Sequence, residues 1–434
     1  MKYASVLLAS SCLLSVVSAQ WLDTTIVIGT YPEKLVYNSV NNKAYCATGY
    51  DSITVIDGAT NSVITTMPVN GHSCLGYTAT NNKVYCGNPH DGCVTVLDGA
   101  ADTIIKTFSV GCWPSSPVYD SVAHKLYFAN AGVGKTMAEE STVTVVDGTV
   151  DTVITTIGVG AGPIALVRNS TNNKVYSANS GSNDLTVIDG VADTVIATLP
   201  VGTRYGSLAY NPANNKVYCS NTLSSVVTVL DGATDSVIST IAPGGTPGAL
   251  CYNPIGNKVY CAVGSLRAVV AIDGVTDSIV ATVPVGSDPT ALIHAPVNNK
   301  VYCANYYSDD VTVIDCATDE VITTIPVGSS PLALAWNPIQ NRTYVANYMG
   351  HSVSIIRDSG STAVAERLGP RACSGRPAAT ILCGASGVKR LASSAVFDAM
   401  GRRVVDPRSG VFFVRDEGQG MRGEGRMRKV IVQR

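Results

Sequence analysis

Charge is what this chain has least of. Only 14% of its 434 residues are Asp, Glu, Lys or Arg, while Val, Ile, Thr, Tyr, Gly and Asn abound. That mix favours strands and tight turns over helices. Helical periodicity is missing throughout, which excludes a helix bundle and a TIM-like alternation. No apolar run is long enough to cross a membrane as a helix. His-Glu-x-x-His, Gly-x-Ser-x-Gly, Cys-x-x-Cys-His and calcium-loop patterns are also missing. With no such signature, no catalytic residue, metal set or cofactor is expected.

Residues 1–19 read as a secretory signal peptide. Lys2 precedes the apolar run from Ala4 to Val17, and Val17-Ser18-Ala19 stands before Gln20. The expectation is an exported protein, extracellular or on the outer cell surface, with the periplasm as the alternative. The formal net charge of −2 conceals a division. Residues 24–358 hold 15 basic against 25 acidic residues, and residues 359–434 hold 14 against 6. Two modules of separate character are implied.

The first module is a repeat. Asn-Lys-Val-Tyr and close variants place a basic residue at Lys43, Lys83, Lys125, Lys174, Lys216, Lys258, Lys300 and Arg342. The spacings are 40, 42, 49, 42, 42, 42 and 42 residues. Each unit carries four β-rich runs, typified by Ala-Leu-Ala-Tyr, Lys-Val-Tyr-Cys-Ala, Val-Thr-Val-Ile and Val-Ile-x-Thr-Ile. Asn-Pro-x-x-Asn-Lys and Asp-Gly-x-x-Asp links between them suit hairpins, because Asn, Asp and Gly tolerate positive φ. Four antiparallel strands in about 42 residues is the signature of a β-propeller blade.

Eight Lys-x-Tyr strands give eight blades, with seven as the fallback if one unit is degenerate. Only seven outer strands follow them. The missing one stands at the other end, where Thr24-Thr25-Ile26-Val27-Ile28-Gly29 matches Thr323-Thr324-Ile325-Pro326-Val327-Gly328. The N-terminal strand is therefore expected to complete the last blade, closing the ring and removing a sheet edge. The expected fold is all-β: a propeller over 20–358, a linker over 359–376 and a small β-sandwich-like domain over 377–434.

Tyr344-Val345-Ala346-Asn347, with the variants Tyr302-Cys303-Ala304-Asn305 and Tyr218-Cys219-Ser220-Asn221, resembles the naming motif of the YVTN-repeat (YncE-like) β-propellers. The resemblance covers residues 24–358 and departs from the common form in blade number and in cysteine at the second motif position. It implies an exported propeller used as an interaction scaffold. In the tail, "VFDAMGRRVVD" and "GVFFVRDEGQGMRGEGRMRKVIVQR" resemble the C-terminal sorting domains of type IX secretion cargo. That implies secretion machinery as a partner.

Within the chain, the links inside the first and the last strand pairs of each blade barely vary, and turn geometry with Lys/Asp pairing accounts for them. The opposite face varies. Its loops carry Tyr31, His72, His90, Trp113, Lys135, Arg204, Tyr205, Arg267, Tyr306, Tyr307, Asp309, Tyr348 and His351 as candidate binding residues. Loops on a rigid scaffold are where recognition concentrates, and aromatic residues with Arg are common contact residues.

"ANAGVGKT", from Ala129 to Thr136, approaches the spacing of a phosphate-binding loop. Too few residues follow before the next strand to form the helix such a loop needs, so no nucleotide triphosphate is expected. Cys46, Cys86, Cys219, Cys261 and Cys303 share one blade position and read as buried packing residues. Cys251 and Cys261 stand on the two strands of one hairpin, which makes them candidates for a disulfide.

The leading reading is a non-enzymatic scaffold that binds a protein or a glycan through the variable loops. An alternative is a lactonase- or lyase-like propeller enzyme with a polar or metal site at the central channel. A second alternative is single-stranded nucleic-acid binding, against which the acidic propeller argues.

Overall fold

A computed structural model describes residues 19–358, apart from 50, 70, 72–73, 133–140, 203 and 205, together with strands between 380 and 433. The chain divides into two units, one spanning Ser18–Gly360 and the other containing Ser361–Arg434.

The first unit is a propeller of eight four-stranded antiparallel blades. Blade 1 runs Pro32–Asn38, Lys43–Thr48, Ser52–Asp57 and Val63–Pro68 from the innermost strand outwards. Blade 8 takes Pro331–Asn337, Arg342–Asn347 and Ser352–Asp358 from one end of the repeat array. Its outer strand is Gln20–Val27, paired antiparallel with Ser352–Asp358 so that Thr25 faces Ser354 and Ile26 faces Val353. The ring is closed as the repeat count requires, with eight blades rather than seven.

Blades pack face to face, so both faces of the two middle strands are buried and their residues read as near-continuous apolar runs. Tyr45, Tyr85, Tyr127, Tyr176, Tyr218, Tyr260, Tyr302 and Tyr344 are the largest buried side chains, one per blade. The repeat cysteines stand next to them, and Phe128, Ser177 and Val345 fill the same buried place in the other three blades. Burial pushes the Cys219 and Cys261 thiols up to about 12, which makes them inert packing groups at neutral pH.

The proposed Cys251–Cys261 bridge is corrected by the register. Leu250 stands opposite Cys261 and Cys251 opposite Tyr260. The two thiols therefore lie on opposite faces of their sheet, and both are free.

Outer strands carry a bulge in each of blades 1 to 7. In blade 1 the register slips between Val55 and Ile56, and Val63 and Ile64 are both about four-tenths exposed. A bulge of this kind twists an edge away from straight pairing with another chain.

In the second unit, the described residues form one five-stranded sheet. Thr380–Cys383 runs parallel to Met427–Gln433, which is followed across the sheet by Gly410–Arg415, Ala395–Phe397 and Arg403–Val404. The linker 359–376 lies outside the described residues.

Candidate binding face

Each end of the propeller is built by a different pair of links. One face carries the turns inside the first and last strand pairs of every blade, and its side chains are committed to holding neighbouring blades together. Lys43 Nζ reaches from blade 1 to Asp102 Oδ2 of blade 2 at 2.7 Å, and Tyr45 donates its hydroxyl to Asp102 Oδ1 at 2.6 Å. The same clasp recurs at Lys83–Asp151, Lys125–Asp193, Lys174–Asp235, Lys216–Asp277 and Lys258–Asp319, at 2.5–2.8 Å. Burial, first, and the aspartate partner, second, push the Tyr45 phenol well above its ordinary range.

A belt of asparagines lies inside these clasps. Asn211 Nδ2 donates to Asn257 Oδ1 across the blade seam at 2.9 Å, and Asn253 repeats this with Asn299. The turn glycine sits against the belt: a Cβ on Gly274 would fall 2.5 Å from Asn211 Nδ2 and 2.6 Å from Asn257 Oδ1. Close approach, rather than positive φ, dictates glycine at that place. This face is structural because its constant residues are consumed by contacts between blades.

On the opposite face the loop residues differ from blade to blade, and among the described residues three aromatic groups form there. At the seam of blades 8 and 1, the Tyr31 ring lies 5.1 Å from Tyr348 and 4.9 Å edge-on to His351. The Tyr31 backbone N–H donates to His351 Nδ1 at 3.1 Å. Both Tyr31 and His351 adopt positive φ, 49° and 48°, a conformation uncommon for non-glycine residues and found where loops are tightly specified. In blade 7, Tyr306 and Tyr307 meet edge to face at 5.1 Å, and Tyr307 is 74% exposed. Across blades 2 and 3, His90 and Trp113 pack edge to face at 5.9 Å. Trp113 also has positive φ, and its ring is 42% exposed.

These groups occupy the arc from blade 7 through blades 8 and 1 to the seam of blades 2 and 3. Arg204 and Arg267 stand apart from them, exposed on the loops of blades 5 and 6. Asp309 is drawn into scaffolding, since its Oδ1 accepts the Ser330 N–H at 2.7 Å and the Ser329 hydroxyl at 3.2 Å. His72, Lys135 and Tyr205 lie outside the described residues. His90 and His351 sit in blades 2 and 8, each against an aromatic ring. Among the described residues no three His, Cys, Asp or Glu side chains come together in a metal-holding group.

For "ANAGVGKT", Lys125–Asn130 pairs directly with Thr142–Asp147 in the same blade. The strand that precedes the motif is therefore bonded to the strand that follows it, and Val133–Glu140 lie outside the described residues. Lys34, not among the candidates above, is the one charged residue at its place in the eight innermost strands, a singularity visible in the sequence itself.

No family model matches the sequence, and no curated protein does. Solved structures do match. Kuenenia stuttgartiensis hydrazine synthase is 16% identical with a TM-score of 0.54, covering 78% of this chain and 99% of that one. The computationally designed Ika8 protein is 16% identical with a TM-score of 0.63, covering 76% of this chain and 99% of its own. At such identity the likeness carries the fold alone. No helix among the described residues is long and apolar enough to cross a membrane.

Proposed function

We propose that this chain is an exported propeller of the YVTN-repeat (YncE-like) kind, displayed at the cell surface, which binds a protein or glycan without catalysis. The arc of aromatic side chains on the variable face carries the reading. Exposed Tyr, Trp and His rings on specified loops offer flat apolar surfaces with polar edges, suited to sugar faces and to protein hot spots. The constant face supplies the contrast, because its polar residues are spent between blades.

The tail's resemblance to type IX sorting domains gives the proposed route to the surface, and the signal-like segment 1–19 gives the first export step. Deleting residues 391–434 is expected to strand the propeller in the periplasm.

Binding is tested with the purified full chain on a glycan array and against surface proteins of its own producing cell. A ligand retained by the wild type should be lost in Tyr31→Ala/Tyr348→Ala and in Trp113→Ala, with thermal midpoints unchanged. A ligand retained equally by all three proteins removes the variable face as its site.

A further inference from the structure

The innermost strands of blades 8, 1, 2, 3 and 4 line an open cavity of about 330 Å³. Five consecutive blades contribute to it, so it lies in the central channel. Its volume falls at the lower end of the range for small-molecule sites. Leu35, Leu75, Pro117 and Ile164 supply apolar wall, and Lys34 and Ser116 supply polar atoms.

Lys34 breaks the repeat. The corresponding residues of the other blades are Cys74, Ser116, Ala165, Ser207, Ala249, Ala291 and Ala333. Seven blades close the ring with a small residue at this place, so the fold has no need of a long cationic side chain there. The repeat lysines are each held by an aspartate, as Lys216 is by Asp277 at 2.8 Å. Lys34 is exposed, and its side chain takes no ion pair or hydrogen bond among the described residues.

Ser116 adds a second anomaly. Its φ of 46° inside a strand sets it apart; its Oγ accepts the Leu166 N–H from blade 4 at 2.8 Å, a bond that Ser207 repeats with the Leu250 N–H of blade 6 at 3.2 Å. That bond fixes the oxygen and leaves the hydroxyl hydrogen available to donate.

We propose that the channel cavity binds a small organic monoanion, a carboxylate with a short aliphatic body. The carboxylate pairs with Lys34 Nζ and accepts from the Ser116 hydroxyl, while the aliphatic part lies against Leu35, Leu75, Pro117 and Ile164. One ammonium and one hydroxyl match a single negative charge, and leave a phosphate dianion half compensated. The apolar wall selects a hydrocarbon body over an inorganic ion. Neither Tyr31, Tyr348 nor Trp113 lines this cavity, so the site is independent of the loop face.

Calorimetric titration of the full chain with hexanoate, hexan-1-ol and inorganic phosphate tests the assignment. Hexanoate should bind one to one, at least tenfold more tightly than the other two. Lys34→Gln should weaken hexanoate at least tenfold with an unchanged thermal midpoint, and Lys34→Arg should restore most of it. Tyr31→Ala/Tyr348→Ala should bind hexanoate as the wild type does. Absence of hexanoate binding, equal binding by Lys34→Gln, or phosphate binding as tight as hexanoate overturns the proposal. Loss of hexanoate binding in the loop variant overturns it too, by moving the site to the loop face.

Discussion

Lys300 Nζ lies 2.8 and 2.9 Å from the two carboxylate oxygens of Asp358, and the pair is the most buried of the ion pairs between blades. Elsewhere the lysine of one blade finds the last aspartate of the turn before the next blade's outer strand. Blade 8 has no such turn, since its outer strand arrives from the N-terminal end. Asp358, at the end of the third strand, takes over from a different place in the repeat. It also accepts the Tyr302 hydroxyl at 2.9 Å and the Gln20 amide at 2.9 Å, so one carboxylate joins blade 7, blade 8 and the closing strand.

Removing that carboxylate takes both of its oxygens away from the buried Lys300 ammonium. Asp358→Ala is expected to cost about 3–5 kcal/mol, the range for breaking one side of a buried pair. The more exposed Lys174–Asp235 clasp should cost about 1 kcal/mol when broken by Lys174→Ala. Urea midpoints compare the two directly. Equal losses would mean that burial at the closure does not set the strength of the clasp.

The propeller was legible because its signals are local and repeated eight times: strand periodicity, turn residues and one buried tyrosine per unit. Closure was legible because Thr24-Thr25-Ile26 copies Thr323-Thr324-Ile325. The Asp358 substitution was not, since Asp358 aligns with Cys316 rather than with Asp319. The candidate site was legible only as a face. Which loop aromatics meet depends on seams between blades, so Tyr31 and His351, 320 residues apart, come together only when the ring closes. Lys34 was hidden for the converse reason: a single deviation inside a scaffold strand is outweighed by the pattern around it. The cysteine bridge failed on register, as a one-residue offset sends two side chains to opposite faces.

Closure by Gln20–Val27 predicts complementation. A chain beginning at residue 30 should lose its cooperative thermal transition, because Ser352–Asp358 becomes an open edge and the Ile26 and Ile28 contacts with the blade 8–blade 1 core are lost. A synthetic peptide of residues 20–29 should bind the truncated protein and raise its midpoint. A truncated protein as stable as the full chain would show that the closing strand is dispensable.

Acid sensitivity follows from the turns before the outer strands. Asp57 Oδ1 accepts the N–H groups of Ala59 and Thr60, each at 2.8 Å. Chiefly the Thr60 bond holds the Asp57 carboxyl below its ordinary value. Asp98, Asp189, Asp231 and Asp273 are lowered in the same way, led by a turn N–H in each case. With folded values below the unfolded one of about 3.9, their stabilisation is complete above that pH and disappears as pH falls through the folded values. The thermal midpoint should stay level from about pH 7 to 5 and fall steeply below about 4. Asp273→Asn keeps a turn acceptor without a titrating group, so it should flatten the acid limb slightly; a steeper limb would contradict the assignment.

The seam of blades 8 and 1 holds a weakened copy of the clasp. Arg342 replaces lysine, and Asn61 replaces the aspartate, accepting from Arg342 Nη1 at 3.0 Å. Among the described residues the Tyr344 hydroxyl donates to no carboxylate, whereas its seven counterparts each do. Asn61→Asp restores the carboxylate, and the positive φ of 59° suits Asp as it suits Asn. Asp23 opposes the gain. Its Oδ2 accepts the Asn61 amide at 3.2 Å and lies 3.4 Å from Arg342, so a second carboxylate would meet it at close range and the two would resist joint ionisation. Asn61→Asp alone should therefore leave the midpoint nearly unchanged at pH 7. Asn61→Asp with Asp23→Asn removes the repulsion, gives Tyr344 and Arg342 one shared acceptor, and should gain about 1 kcal/mol. A full gain from the single substitution would show that Asp23 exerts no repulsion at this seam. A loss in the double variant would show that Asp23, rather than the missing clasp, holds Arg342 in place.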